Sequence, residues 1–311
     1  MKILITGAAG FVGGHLIKAF AERGHKLAAI DLGTSPLFEE YGVVAHQADL
    51  LDKAAMLEVM AEEKPDAVVH LAAIANVPFA WEHPAKTMAV NVGGTATLLE
   101  ALAEAVPGGK ILTIGSSDAY GLTAKCGQPL TEEQPCQPQN PYSISKLCAE
   151  QLAIQLAGKY GLTVIAARSF NHFGPGQKPG FVVSDFASQV AAIEKGEQEP
   201  VLSVGDLTAA RDFTYIDDII AAYVALTEKE IPTGIYNICS GKPRKIEEVL
   251  QGLLALSTKE IEVRKDPARM RPSEVPFFVG DGSKIFEAVG WQPKMDFQAG
   301  LKKTLDYWRD K

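Results

Sequence analysis

The sequence predicts an α/β protein built on a doubly wound parallel sheet, with a smaller, discontinuous α/β second lobe. Three observations carry that prediction. Short β-branched runs alternate with amphipathic stretches through the first half of the chain; the hydrophobic run Lys2-Ile3-Leu4-Ile5 feeds a turn with glycines at positions 7, 10 and 13; and after Arg168 the texture changes to a segment, Asn171 to Gly180, rich in Gly and Pro. Strands alternating with helix-length segments are the signature of βαβ units, and hence of parallel pairing. A Gly- and Pro-rich stretch ends regular structure, so a second region begins there.

The elements follow in order. A strand near 2 to 6 leads through Thr6-Gly7-Ala8-Ala9-Gly10-Phe11-Val12-Gly13 into a helix near 11 to 23. Glycines at this spacing let the backbone turn tightly, approach a pyrophosphate and pack helix on strand, with the phosphate at the positive helix N-terminus. The expectation is a Rossmann dinucleotide site lined by Gly7, Gly10, Phe11, Val12 and Gly13. A second strand near 26 to 31 ends on Asp31, where a carboxylate can accept from the adenosine ribose 2′-hydroxyl and would repel a 2′-phosphate. NAD(H) is therefore favoured, with NADP(H) left open and a solvated turn aspartate as the alternative reading. Further strands are predicted near 42 to 46, 67 to 71, 109 to 114 and 162 to 167, with helices near 52 to 63, 91 to 105 and 141 to 158. Residues 1–170 are read as the dinucleotide-binding domain and 171–311 mainly as a substrate lobe. The chain is expected to return to the main sheet near 206–238, around Arg211 to Asp218 and Ile235 to Ile238.

Asn140-Pro141 places an N-cap residue before a proline at the first helical position, so a helix starts there, and its first turn carries Tyr142-Ser143-Ile144-Ser145-Lys146. A phenol and an ammonium four residues apart share one helix face. A tyrosine with a pKa of about 10 exchanges protons poorly at neutral pH, and a lysine ammonium beside it is expected to stabilise the phenolate and lower that value. Glycine triplets open many loops, and a Tyr and a Lys four apart recur on ordinary solvated helices. Both together, each in the element that confirms it, point to a hydride-transfer enzyme.

Composition excludes other classes. The 311 residues are 47% hydrophobic and 22% charged, with 30 Lys and Arg against 38 Asp and Glu for a formal charge of −8. An acidic chain argues against nucleic acid or an anionic membrane surface as partner. No run of about 18 apolar residues occurs and the N-terminus already reads as a core strand, so no membrane span or leader is expected and the protein reads as cytoplasmic. Cys126, Cys136, Cys148 and Cys239 show no CxxC spacing and no nearby paired histidines, which predicts thiols and no metal site.

TGxxGxxG, Asp49-Leu50, Leu71-Ala72-Ala73, Asn91-Val92-Gly93-Gly94-Thr95, Ser116-Ser117 before Tyr120-Gly121, YxxxK and Arg211-Asp212-Phe213 occur here in one order. In this the chain resembles, over nearly its whole length, the extended short-chain dehydrogenase/reductases acting on nucleotide sugars. Arg168 to Gln177, Asp266 to Val275 and Tyr236 to Gly241 most resemble the branch that handles GDP-linked 6-deoxy-hexoses.

The resemblance implies roles residue by residue. Tyr142 is the acid; Lys146 also holds the nicotinamide ribose; Ser116, at a strand end, steadies the substrate carbonyl oxygen where charge develops, with Ser117 the weaker candidate. Asp49 lies near the adenine, Leu50, Leu71, Ala72 and Ala73 line the cofactor, and Asn91 orders the active-site helix, its plain alternative being a helix cap. For the substrate the set is Ser116, Ser117, Asp118, Asn171, Phe181, Val182, Arg211, Arg271 and Glu274. Fork-shaped arginine donors suit a diphosphate, although an ordinary surface ion pair is the alternative for Arg211 and Arg271. His70, His83 and His172 read as structural, and Trp81, Trp291 and Trp308 as core or interface packing.

One departure matters. Dehydratases of the family carry Thr, one residue, then Glu where this chain has Ser116-Ser117-Asp118. Asp118 is one methylene shorter, and a reach error near 1 Å can cost about a hundredfold in rate. The expected reaction is therefore reduction of the C4 ketone of a GDP-linked 6-deoxy-4-keto-hexose. Dehydratase or 4-epimerase chemistry on a related nucleotide sugar is the alternative, and a noncatalytic nucleotide-sensing protein the reading from another class. The resemblance also implies a two-fold homodimer through the helices near 91 to 105 and 141 to 158.

Overall fold

A computed structural model of the chain describes residues 1–267 and 275–311. The strands in its first half are β1 (Lys2–Thr6), β2 (Lys26–Asp31), β3 (Val44–Gln47), β4 (Ala67–His70), β5 (Lys110–Ile114) and β6 (Thr163–Ser169). Beyond them come β7 (Asn171–Phe173), β8 (Val201–Val204), β9 (Ala210–Tyr215), β10 (Gly234–Ile238), β11 (Pro243–Lys245), β12 (Glu262–Lys265) and β13 (Phe277–Phe278). Seven of these form one sheet in the order β10-β6-β5-β4-β1-β2-β3, and every pairing in it is parallel. The fold is the doubly wound α/β architecture that the alternation predicts.

Parallel strands covered on both faces read as unbroken apolar runs, and β1 shows the consequence. Ile3 and Ile5 belong to one buried cluster, while Leu4 between them belongs to another on the opposite face. Helices Phe11–Glu22 and Ile216–Glu228 cover the first face; Lys53–Glu63, Gly94–Ala105 and Pro141–Tyr160 cover the second. β3 begins at Val44, later than the sequence suggests, because a short helix, Pro36–Glu40, comes first and ends in a turn at Gly42, whose φ is +63°. Strand order reverses between β1 and β4, and a crevice opens beyond the carboxyl ends of strands at such a reversal.

The second lobe is centred on β9, which pairs antiparallel with β11 and parallel with β13 and β7. Arg211 to Tyr215 therefore does not rejoin the main sheet, as the sequence reading had it. Its backbone hydrogen bonds are taken by strands of the smaller sheet, and only Gly234–Ile238 extends the large one, beside β6. Trp291 is buried, donating from Nε1 to the Asp218 carbonyl at 2.9 Å. Trp81 is 61% exposed, so core packing does not account for it. Among the described residues no helix is long and apolar enough to cross a membrane.

Candidate active site

The glycine turn is built by steric necessity at two positions. Gly7 has φ +70°, and a Cβ there would stand 2.7 Å from the Ala72 amide nitrogen; one on Gly13 would stand 2.4 Å from the Ala8 carbonyl oxygen. At Gly10 the contact is looser, 3.2 Å. Gly10 caps helix Phe11–Glu22 with no side-chain hydrogen bond and no acidic residue in the first turn, so the amides of the first turn are left uncapped at the positive helix end. The exit from β4 lies against this turn: Leu71 N donates to Thr6 O at 3.1 Å and Ala72 N to Thr6 Oγ1 at 3.2 Å. Asp31 at the end of β2 accepts from the Ala9 and Gly33 amides, each at 2.9 Å. Asp49 is exposed and accepts from Leu51 N at 3.0 Å. Leu50 is 7% exposed and packs under Gly94, so its side chain serves the core.

The Tyr142 helix starts where Asn140-Pro141 predicts. Asn140 accepts from Ser143 N at 2.8 Å, and Ser143 Oγ in return accepts from Asn140 N at 3.2 Å. Ser116 follows β5 in extended conformation and caps the 3-10 turn Ser117–Tyr120, accepting from Asp118 N at 3.2 Å. Lys146 Nζ donates to the Ile114 carbonyl at 2.6 Å, which joins the helix to the strand end that carries the serine. The structure thus brings Ser116, Tyr142 and Lys146 to one end of β5, close enough for the Ser116 hydroxyl to act on the Tyr142 phenol.

The electrostatics differ from the sequence expectation. Tyr142 is not lowered: burial pushes the phenol up to about 12, the Asp118 carboxylate adds to that, and the Ser116 hydrogen bond offsets only part. Burial also brings Lys146 down to about 8. The reason is that both half-buried groups are partly withdrawn from water, which disfavours the charged form of each.

Behind the pair runs a polar chain that sequence reading saw only in part. Asn91, 2% exposed, receives Ile74 N at 2.8 Å and donates to Ile74 O at 3.0 Å and to Ser145 Oγ at 2.9 Å. Ser145 in turn donates to the Tyr142 carbonyl at 2.7 Å. Ser145 was missed, although its place three residues after Tyr142 was a usable signal. His70 bridges Thr6 Oγ1 at 2.7 Å and Thr95 Oγ1 at 3.0 Å. Burial, helped by the Lys146 charge, holds it neutral with a pKa near about 3.

On the substrate side, Asp118 and Arg211 interact electrostatically: Asp118 is exposed at the crevice, the surrounding protein raises its carboxyl, and the Arg211 charge pulls it down. Arg211 Nη1 donates to the Ala210 and Val275 carbonyls at 2.8 and 3.1 Å. Asn171 is exposed and pairs in register with Phe213, two residues along β9 from Arg211. Ser117 is 3% exposed and stays behind the crevice wall. Phe181, half exposed, caps helix Val182–Lys195, and Val182 opens it. Arg271 and Glu274 lie outside the described residues. Sequence reading missed Asp212, which is fully buried and accepts from Ser240 N, Ser240 Oγ, Gly241 N and Gly280 N. Alternation along β9 puts its side chain opposite that of Arg211, so a buried anchor lies directly beside the candidate phosphate ligand.

A dinucleotide-binding sheet with a Ser, Tyr and Lys trio at its crevice defines a class of hydride-transfer enzyme. The chain belongs to the GDP-mannose 4,6 dehydratase family, whose model matches residues 4–304. It is 37% identical to GDP-6-deoxy-D-mannose reductase of Pseudomonas aeruginosa, covering 100% of this chain and 98% of that one. Among solved structures it is similar to RMD from Pseudomonas aeruginosa complexed with NADPH, at 35% identity, 99% of each chain and a TM-score of 0.87. It is also similar to the Thermus thermophilus UDP-glucose 4-epimerase complexed with NAD, at 32% identity, 99% of each chain and a TM-score of 0.87.

Proposed function

We propose that the protein reduces the C4 ketone of GDP-4-dehydro-6-deoxy-D-mannose to GDP-D-rhamnose, using NADH in preference to NADPH. The observation that carries this reading is the end-to-end likeness to GDP-6-deoxy-D-mannose reductase, with 37% of residues identical.

The residues suit the cofactor: the space that a Cβ on Gly7 or Gly13 would need is taken by backbone, and the helix Phe11–Glu22 starts at the turn with no side-chain cap. A bound nicotinamide dinucleotide supplies the hydride. The chain supplies the rest. Tyr142 protonates the C4 oxygen as charge develops there, Ser116 donates a second hydrogen bond to the same oxygen, and Lys146 holds the ribose while its positive charge favours the departing proton. With its phenol held near about 12, Tyr142 is fully protonated at neutral pH, as an acid for reduction must be. Arg211 and Arg271 hold the diphosphate, Asn171 assists, and Glu274 receives the nucleotide ribose. Residues 1–170 serve the dinucleotide and the later lobe serves the sugar. Two copies pair through the helices Gly94–Ala105 and Pro141–Tyr160.

Cofactor counting tests the reading. With the GDP-linked 4-keto-6-deoxy sugar, NADH should disappear mole for mole with product, and GDP-mannose alone should remain unconverted. A dehydratase or 4-epimerase regenerates its own cofactor. GDP-mannose converted to the keto sugar with catalytic NAD, and external NADH left untouched, would transfer the assignment to the dehydratase.

A further inference from the structure

Resting on the reductase reading above, we propose that the buried ion pair between Glu150 and Arg168 is a positioning device that sets the spacing between Tyr142 and Ser116. Tyr142, Lys146 and Glu150 follow one another at intervals of four along helix Pro141–Tyr160 and so share a face. Glu150 is 3% exposed and Arg168 2%. The carboxylate receives Arg168 Nε at 2.8 Å and Nη2 at 2.6 Å, a two-pronged contact that fixes orientation as well as distance. Arg168 belongs to β6, the neighbour of β5, so the contact ties the catalytic helix to the sheet.

The same pair controls the path into Ser116. A Cβ on Gly115 would stand 3.4 Å from Glu150 Oε2 and 3.2 Å from the Ala167 carbonyl oxygen, so the backbone entering the serine runs directly over the carboxylate. The Arg168 guanidinium lies 4.8 Å from the centre of the Tyr120 ring, and Tyr120 ends the turn that Ser116 caps. Tyr120 is held from its far side, donating from Oη to Asn237 Oδ1 on β10 at 2.8 Å. One ion pair therefore touches the helix that carries the acid, the glycine before the serine and the aromatic ring that closes the serine's turn. With Lys146 bonded to Ile114 O, helix and strand end are joined at two heights, one helical turn apart.

A pair that served stability alone would be replaceable by apolar side chains of similar volume, since buried ion pairs often contribute little net stability against such a replacement. The double variant Glu150→Met/Arg168→Met makes that replacement. It is expected to fold with a melting temperature near that of the wild type while kcat for keto-sugar reduction falls by tenfold or more, a loss in keeping with the roughly hundredfold penalty of a 1 Å misplacement. KM for the sugar and Kd for NADH should change by less than about twofold, the split that marks a contribution made only in the transition state. Arg168→Lys, which keeps the charge and loses the fork, should give an intermediate kcat. Glu194→Gln, which breaks the distant pair with Arg309, should lower the melting temperature and leave kcat unchanged. A folded double variant with wild-type kcat would overturn the proposal, as would losses of kcat that merely follow melting temperature across all these variants. If the double variant does not fold, Arg168→Lys decides by the same split: reduced kcat at constant KM supports the proposal and unchanged kcat overturns it. Failure of the wild-type enzyme to reduce the keto sugar would strike the functional reading instead, a result read before any variant is made.

Discussion

The carboxylate of Asp31 reaches back to the glycine turn and accepts the Ala9 amide at 2.9 Å, so the residue proposed to read the adenosine ribose also braces the loop proposed to hold the pyrophosphate. Two consequences follow for cofactor choice. NADH should be used with a higher kcat/KM than NADPH, because a 2′-phosphate would meet a fixed negative charge. Asp31→Ser should narrow that gap and weaken both cofactors together as the brace is lost. Steady-state kinetics with the two cofactors checks this, and a strong native preference for NADPH would refute it.

Tyr142→Phe removes the proton donor and little else. Turnover should fall by about a hundredfold to ten-thousandfold, the range expected of a general acid, while NADH and the nucleotide sugar still bind by calorimetry. Lys146→Met should be as damaging to turnover and should also weaken NADH, because it removes the proposed ribose contact together with the tie to Ile114 O.

The pH profile should report Lys146. Its folded pKa is brought down to about 8, so the ammonium is present below that pH and lost as pH rises through it, whereas Tyr142, near about 12, keeps its proton throughout. kcat/KM should be level near neutrality and decline above about pH 8. Stability should move the other way, because between the folded value and the ordinary lysine range the unfolded chain binds the extra proton and unfolding becomes less favourable as pH rises. A rate profile that stays flat to pH 10 would show that the lysine charge is not needed.

Arg211→Ala should raise KM for the GDP sugar by tenfold or more, given that a charged hydrogen bond contributes roughly 1.5 to 3 kcal/mol. Kd for NADH should hardly change. Arg271→Ala is expected to behave likewise, and unchanged KM in both would remove them from the diphosphate site.

Association should be two-fold, through the helices Gly94–Ala105 and Pro141–Tyr160. Light scattering at micromolar concentration should return twice the 33.3 kDa chain mass. Ile144, 41% exposed on the first turn of the Tyr142 helix, makes a direct probe: Ile144→Glu should shift the population toward monomer, and a wild-type monomer at that concentration would exclude the dimer.

The sheet, the glycine turn and the start of the Tyr142 helix could be read from the chain because each is a local signal. β-branched runs, glycines three apart and Asn140-Pro141 act on neighbours within one turn or one strand, and the structure places the glycine turn, the Tyr142 helix start and the strands of the first half within a residue or two of the reading. Tyr142 and Lys146 were legible for the same reason, since a single helical turn fixes them relative to each other, whereas Ser116 was picked out only through the family resemblance. Ser145 and Asp212 were not, because their importance lies in partners far along the chain: Asn91 for the first, and Ser240, Gly241 and Gly280 for the second.

Sequence by itself determined the class of fold, the pairing of Tyr142 with Lys146 on one helix face and the acidic balance of the chain, because composition and short-range periodicity fix these before any long-range contact forms. Tertiary structure alone decided where Arg211 to Tyr215 pairs, since strand partners are chosen by which edges lie open when the lobes assemble. It also decided the protonation of the site. Spacing on a helix predicted a phenol lowered by its lysine, yet the folded chain half-buries both groups and sets the Asp118 charge against the tyrosine, and the cost of desolvating charge outweighs the attraction between neighbours.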